Sequence, residues 1–467
     1  MKPLALALGL LLAATAPAVA PIDTTWPQFR GPAGRGVSGI DSLPTTWSAT
    51  KNVAWKVNVP GRGWSSPIVW GDQVIVTSTS SPGAFKAPST GIFGNDYAAE
   101  LSRQGLSMDE VLVKLRARDI ESSQEAGELQ YMVSSFDVAN GKVRWQQQAH
   151  RGAPFGGRHR KNTYASETPA TDGERIYALF GNVGLFCYTM DGRLIWTHHI
   201  EPHPRYLDFG TAASPVVHDG RVYILDDNEE SSYLAALDAK TGAVLWKTAR
   251  TAGGGRPLSG WSTPYVWANA KRTEIVAIGR QLATSYDLEG KEMWRLRGLT
   301  QANPTPTDSD GMLYIGTGSQ GEANRPLFAV KPGASGDISL KDGETTSEFV
   351  AWYQPRASAY TSSPLVFGGR VYAVNDTGIL QVFDAKSGRE IYKARVGGVG
   401  NTFSASPWTY GGKIFCLSEE GDTFVLAAGD KYDEVAKNSL GEMTLATPAI
   451  TRDGLFVRTA TELYRIH

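Results

Sequence analysis

The feature that most constrains this chain is a unit that recurs eight times along it. Each unit opens on a small residue or Thr, then Pro, an apolar stretch, a turn dipeptide and a second apolar strand. The anchor prolines are Pro67, Pro169, Pro215, Pro264, Pro306, Pro364, Pro407 and Pro448. Turn pairs such as Asp219-Gly220, Asp310-Gly311, Gly368-Gly369 and Gly411-Gly412 reach the positive φ that two-residue hairpins require. The second half of the unit is a strand, a Gly turn and a strand with an aromatic four residues after the Gly. Its pairs are Gly141/Trp145, Gly192/Trp196, Gly242/Trp246, Gly290/Trp294 and Gly388/Tyr392. Two hairpins in about 40 residues make a four-stranded antiparallel sheet, the size of a propeller blade.

Successive anchors lie 102, 46, 49, 42, 58, 43 and 41 residues apart. The 58 marks an insertion around residues 331–348, and the 102 a larger one at about 82–130. Within the larger one, Ser107 and Glu110 form a capping box ahead of a Met108, Val111, Leu112, Leu115 stripe, which predicts a short helix. The eighth unit lacks its last strand, and KNVAWKVNV near the N-terminus supplies a lone strand carrying Trp55. Joining the two completes a blade and leaves no open sheet edge. The expected fold is therefore all-β: an eight-bladed β-propeller of four-stranded antiparallel blades, one domain over residues 22–467.

Composition then narrows the function classes. The 13 Trp, 51 Gly and 25 Pro are mostly absorbed by the repeat: indoles between blades, glycines in turns, prolines on inner strands. With 46 Lys and Arg against 47 Asp and Glu, there is no strongly basic surface for nucleic acid. Residues 1–20 carry one cation, an apolar run and terminal small residues, the pattern of a signal peptide cut after Ala18 or Ala20. No further apolar stretch is long enough to span a bilayer, and no Cys near the cut offers a lipid anchor. The expectation is export to the periplasm or beyond. Cys187 and Cys416 lie in apolar runs of blades two and seven, which predicts two separate buried thiols.

The segments FDVANGKVRW, ALDAKTGAVLW and VFDAKSGREIY resemble the tryptophan-docking repeat of pyrroloquinoline-quinone (PQQ)-type eight-bladed propellers. The opening WPQFRGPAGRGVS, with LPTTWSATKNVAWKVNVPGRGWSSP, is similar to the start of secreted bacterial members of that family. The resemblance implies the propeller fold, and it embraces both quinone dehydrogenases and non-catalytic relatives such as an outer-membrane assembly lipoprotein. The dehydrogenases it implies carry two adjacent cysteines beside the quinone, whereas no two cysteines here are adjacent and no C-x-x-C-H haem motif exists.

Candidate site residues come from loops that break the repeat. Arg158, His159, Arg160, Lys161 and Asn162 make a dense cationic loop suited to an anionic ligand. Trp64 and Trp261 sit three residues before their anchor prolines, placed to flank the channel mouth and stack on a flat ligand. Asp226, Asp227, Asn228 and Glu229 offer oxygen ligands for calcium, without the alternating spacing of an EF-hand. The expected function is an exported, non-catalytic binding or scaffolding propeller for a protein or polysaccharide partner. Its alternative is a PQQ- and calcium-dependent dehydrogenase of alcohols or sugars. The first reading requires no cofactor, and the missing cysteine pair leaves PQQ and calcium unsupported.

Overall fold

Short apolar strands joined by tight turns build sheets whose edges must be hidden, and in this protein the sheets close into a ring. The structure, a computed structural model, describes residues 22–81, 100–107, 109–111, 113–114, 117, 127–251, 258–319 and 322–467. The segment read as a signal peptide and most of the 82–130 insertion lie outside the described residues. Eight sheets are present, each with four antiparallel strands running from the channel outwards. The inner strands are Ile68–Trp70, Ala170–Thr171, Val216–His218, Tyr265–Ala268, Thr307–Ser309, Leu365–Phe367, Trp408–Tyr410 and Ala449–Thr451. Each starts one residue after its anchor proline, so the ring of prolines marks one level of the channel.

Closure follows the expected route. Val53–Asn58 pairs antiparallel with Glu462–Ile466 and becomes the outermost strand of blade 8. The fourth strand of every blade but the seventh carries an aromatic, and most of these pack on the next blade. The indole N–H of Trp55 donates to the Val138 carbonyl at 2.8 Å, that of Trp145 to Met190 at 2.9 Å, and that of Trp352 to Ala385 at 2.9 Å. Trp294 departs from this pattern and donates instead to buried Glu274 of its own blade at 2.7 Å. The difference has a cause in the chain: the insertion after Val330 lays Gly336–Asp337 in parallel against the Trp294 strand, adding a fifth strand to blade 4.

The predicted capping box is formed: the Ser107 N–H donates to Glu110 Oε2 at 2.8 Å, and the Glu110 N–H to Ser107 Oγ at 3.4 Å. Cys187 and Cys416 are free and buried in separate blades. Among the described residues no helix is long and apolar enough to cross a membrane.

The segment WPQFRGPAGRGVS turns out to plug one end of the channel. Thr25–Trp26 pairs with the inner strand of blade 1, and the Pro27 carbonyl accepts from the Thr171 N–H of blade 2 at 2.9 Å. Arg35 forms a two-pronged ion pair with Asp308 of blade 5, at 2.7 and 2.8 Å. Val37 forms a parallel bridge with Thr409 of blade 7, and the Asp23 carbonyl accepts from the Arg452 N–H of blade 8 at 2.8 Å. At the centre lies Arg30, fully buried, donating to the Pro364 carbonyl at 2.6 Å and the Arg35 carbonyl at 3.1 Å. Apart from the Arg30 bond to Pro364, the plug's contacts with the blades fall two to four residues past the anchor prolines. The channel is thus a well, closed below by the plug and open at the other face.

Candidate functional site

The well widens at its open end into a cavity of about 230 Å³. Its wall is built on the eight residues that precede the anchor prolines: Ser66, Thr168, Ser214, Thr263, Thr305, Ser363, Ser406 and Thr447. Proline removes an N–H and holds the preceding residue extended, so that residue's own N–H points sideways, towards the next blade. There it meets a hydroxyl. The Ser66 N–H donates to Thr168 Oγ1 at 2.9 Å, Thr168 to Ser214 Oγ at 2.9 Å, and Ser214 to Thr263 Oγ1 at 3.1 Å. Thr263 donates to Thr305 at 3.2 Å, Thr305 to Ser363 at 2.9 Å, Ser363 to Ser406 at 3.0 Å, and Ser406 to Thr447 at 3.0 Å. A hydrogen-bonded collar therefore runs from blade to blade around the channel.

Above the collar, one half of the cavity is aromatic and the other polar. Trp64 and Trp261 both line it, and their indole N–H groups anchor the loops that overhang it. Trp64 Nε1 donates to the Lys161 carbonyl at 2.7 Å, and Trp261 Nε1 to the Gly210 carbonyl at 2.7 Å. Phe209 also lines the cavity, its ring centroid 6.1 Å from Trp261 and 4.9 Å from His159. Blades 5 to 7 contribute Gln301, Asn303, Tyr360, Asp376, Thr402 and Ser404. Phe29 of the plug makes the floor.

The cationic loop divides between lining and support. His159, Lys161 and Asn162 line the cavity, whereas Arg158 is buried within the loop and donates to the Asn162 carbonyl at 2.8 Å. Arg160 is not among the lining residues. Lys161 reaches across the mouth to blade 7, where its Nζ sits 2.9 Å from buried Glu419 Oε1. The same oxygen accepts from Ser404 Oγ at 2.6 Å. On the opposite wall Asp376 is held by Arg325 at 2.5 Å. Both ionised groups of the lining are thus already paired. Burial, with Lys161, Arg160 and Arg158 alongside, pushes the His159 imidazole down to about 3, so it is neutral at physiological pH. Its Nδ1 accepts from the Lys161 N–H at 3.2 Å, which places the imidazole proton on Nε2. Burial and nearby Asp376 push the Tyr360 phenol up to about 12, keeping it a hydrogen-bond donor.

The acidic run of blade 3 is occupied by protein partners. Asp227 forms a buried two-pronged pair with Arg250, at 2.8 and 3.1 Å, and Asp226 pairs with Arg205. The Asn228 amide oxygen accepts from the Glu230 and Ser231 N–H groups, forming a local turn, and Glu230 meets His203 at 3.0 Å. The Glu229 N–H donates to the Pro204 carbonyl at 3.0 Å. Among the described residues no group of three or more His, Cys, Asp or Glu is arranged to hold a metal ion. The arginines were invisible to a reading of the run alone, because Arg250 lies in the next linker and Arg205 in the preceding one.

Besides Phe209 and the lining from blades 5 to 7, two further sets of site residues were missed at the sequence level. Phe29 lies in the opening motif, with nothing local to mark it as a floor. The collar did leave a signal: every residue before an anchor proline is Ser or Thr, so the shared property is the hydroxyl and not small size.

A family model described as outer membrane protein assembly factor BamB matches residues 129–295, from the third strand of blade 1 into blade 4. A tetrathionate hydrolase from Acidithiobacillus ferrooxidans is 28% identical over 210 residues, covering 41% of this chain and 37% of the relative. The chain thus matches little more than a third of that relative's length. Among solved structures, BamB from Moraxella catarrhalis aligns with a TM-score of 0.50 at 16% identity, over 72% of this chain and 88% of that one. A europium-containing methanol dehydrogenase aligns with a TM-score of 0.59 at 10% identity, over 95% and 98%. The quinohemoprotein alcohol dehydrogenase of Comamonas testosteroni gives 0.60 at 12%, over 96% and 81%. With the eight-bladed ring, these similarities bear out the resemblance to PQQ-type propellers. At such identities the solved structures speak for the fold.

Proposed function

We propose that this protein is an exported binding propeller, whose ligand enters the well at the open end of the channel and which engages a protein or polysaccharide partner through that face. The observation that carries the reading is the lining. Lys161 and Asp376 are each committed to an ion pair, and the remaining surface is hydroxyls, amides, a neutral imidazole and aromatic faces. Such a surface recognises shape and hydrogen-bonding pattern, as ligand pockets do. The match to an outer-membrane assembly factor supports a partner-binding role at the coarser level.

The dehydrogenase reading draws on the same cavity, since two indoles could flank a flat quinone. The residues present do not fit the calcium that reading needs. Among the described residues Asp376 is the one carboxylate of the lining and Arg325 holds it, whereas calcium takes about 6–8 oxygen ligands. The cysteines lie buried in blades 2 and 7, away from the well. Reconstitution with PQQ and calcium, followed by absorbance and dye reduction with alcohols and sugars, separates the readings. The binding reading expects no dye reduction; stoichiometric quinone uptake with dye reduction would replace it. Incubation with tetrathionate, with product sulfate measured, covers the reaction named by the relative, and turnover there would likewise overturn a non-catalytic role.

A further inference from the structure

The collar holds an unused chemical resource. A Ser or Thr hydroxyl carries one O–H donor besides its acceptor lone pairs. From Thr168 round to Thr447, each collar oxygen accepts the N–H of the preceding blade, and none donates to any group among the described residues. Among the described residues Ser66 neither donates nor accepts through its side chain. All eight residues are at most 5% exposed, yet all line the cavity. With their acceptor sides turned along the ring, the hydroxyl protons have the lumen left to point into. Buried donors without acceptors are costly, and a ring of them on one axis is complementary to a group that only accepts.

A second observation gives the sign of the charge. Arg30 sits just below the collar, bonded to the carbonyl of Pro364, the residue after collar member Ser363. It is fully buried, and among the described residues it pairs with no carboxylate; it donates to backbone carbonyls, and its Nε and Nη1 have no hydrogen-bond partner. Asp308 of blade 5, which faces the plug, is taken by Arg35. The base of the well therefore carries one uncompensated positive charge in a low-dielectric setting, where its field is weakly screened.

We propose that the hydroxyl collar is a seat for an oxyanion, the sulfonate, sulfate or phosphate end of a ligand whose remaining body lies against Trp64, Phe209 and Trp261. This deepens the binding reading and rests on it. A ring of near-equivalent O–H donors suits a group with three or more equivalent oxygens, which can be satisfied in many rotational settings. A cation is disfavoured there by Arg30, and a neutral sulfonamide lacks the negative charge that the buried guanidinium favours.

The test is calorimetry on the full mature chain at pH 7 in low-chloride buffer, with benzenesulfonate and its neutral analogue benzenesulfonamide as probes. Benzenesulfonate is expected to bind at one site and to outcompete the sulfonamide by tenfold or more. Ser66→Ala removes a hydroxyl that makes no bond within the protein, so the fold is retained, and it should weaken sulfonate binding by about tenfold, the worth of one hydrogen bond to a charged group. Thr447→Ser keeps its hydroxyl and should leave affinity within about twofold. Equal binding of the two probes, or indifference to Ser66→Ala, overturns the oxyanion seat while leaving the well as a binding site. Binding of neither probe also overturns it, and the dye-reduction experiment then judges the wider reading independently.

Discussion

At the level of single residues, burial and pairing decide which candidates are chemistry and which are scaffold. His159 is the clearest case. Its folded value of about 3 lies below the ordinary 6.5, so the unfolded chain takes up this proton first as pH falls. Its contribution to stability is complete above about pH 6.5 and is lost progressively towards pH 3. A proton-detected NMR titration should show the His159 ring unchanged from pH 8 to 5, and His159→Gln should flatten the acid limb of the stability curve. A midpoint near 6.5 would contradict this assignment. Asp227 is scaffold by the same logic: Asp227→Asn leaves Arg250 buried without its counter-charge and should cost about 3–5 kcal/mol in denaturant unfolding. The sequence could flag both residues as polar breaks in the repeat. It could not tell a lining imidazole from a buried carboxylate, because the deciding neighbours, Arg250 and Phe209, come from other loops.

At the level of strands and turns, register does the explaining. In blade 3 both turn residues, Asp219 and Gly220, have positive φ, at 48° and 69°, as the dipeptide predicts. The Gly of the outer turn meets a further constraint. Gly242 has φ 73°, and a Cβ there would lie 2.6 Å from the Trp196 ring of the preceding blade. Gly242→Ala should therefore destabilise by more than Gly220→Ala, whose Cβ would meet nothing within 4 Å and whose cost is about 1 kcal/mol of backbone strain. Thermal unfolding of the two variants measures the difference; equal losses would mean the glycine–indole contact contributes nothing. Blades were legible because identical offsets recur, and the turn–Trp spacing is local. Trp352 escaped that spacing because the 331–348 insertion separates it from its turn, although it packs on Gly388 as its counterparts do.

At the level of the whole molecule, the two ends of the chain make the ring and the well. Val53–Asn58 covers the last sheet edge, and residues 25–37 stop the channel. A chain truncated before Pro60 loses both and should elute as soluble aggregate in size-exclusion chromatography with light scattering, since an unpaired Glu462–Ile466 edge recruits other strands. A monomeric elution would show that closure is dispensable. Ring closure was readable from counting strands; the plug was not, because its contacts reach blades hundreds of residues away. The central claim is that function resides in the well and not in the regular blade positions. The direct measurement is a titration of ¹⁵N-labelled protein with benzenesulfonate and benzenesulfonamide, read at assigned indole N–H signals. The account predicts saturable shifts at Trp64 and Trp261 with either probe that binds, while Trp55, Trp145, Trp196 and Trp246 stay fixed. Shifts confined to the blade indoles, or none at Trp64 and Trp261, would contradict it.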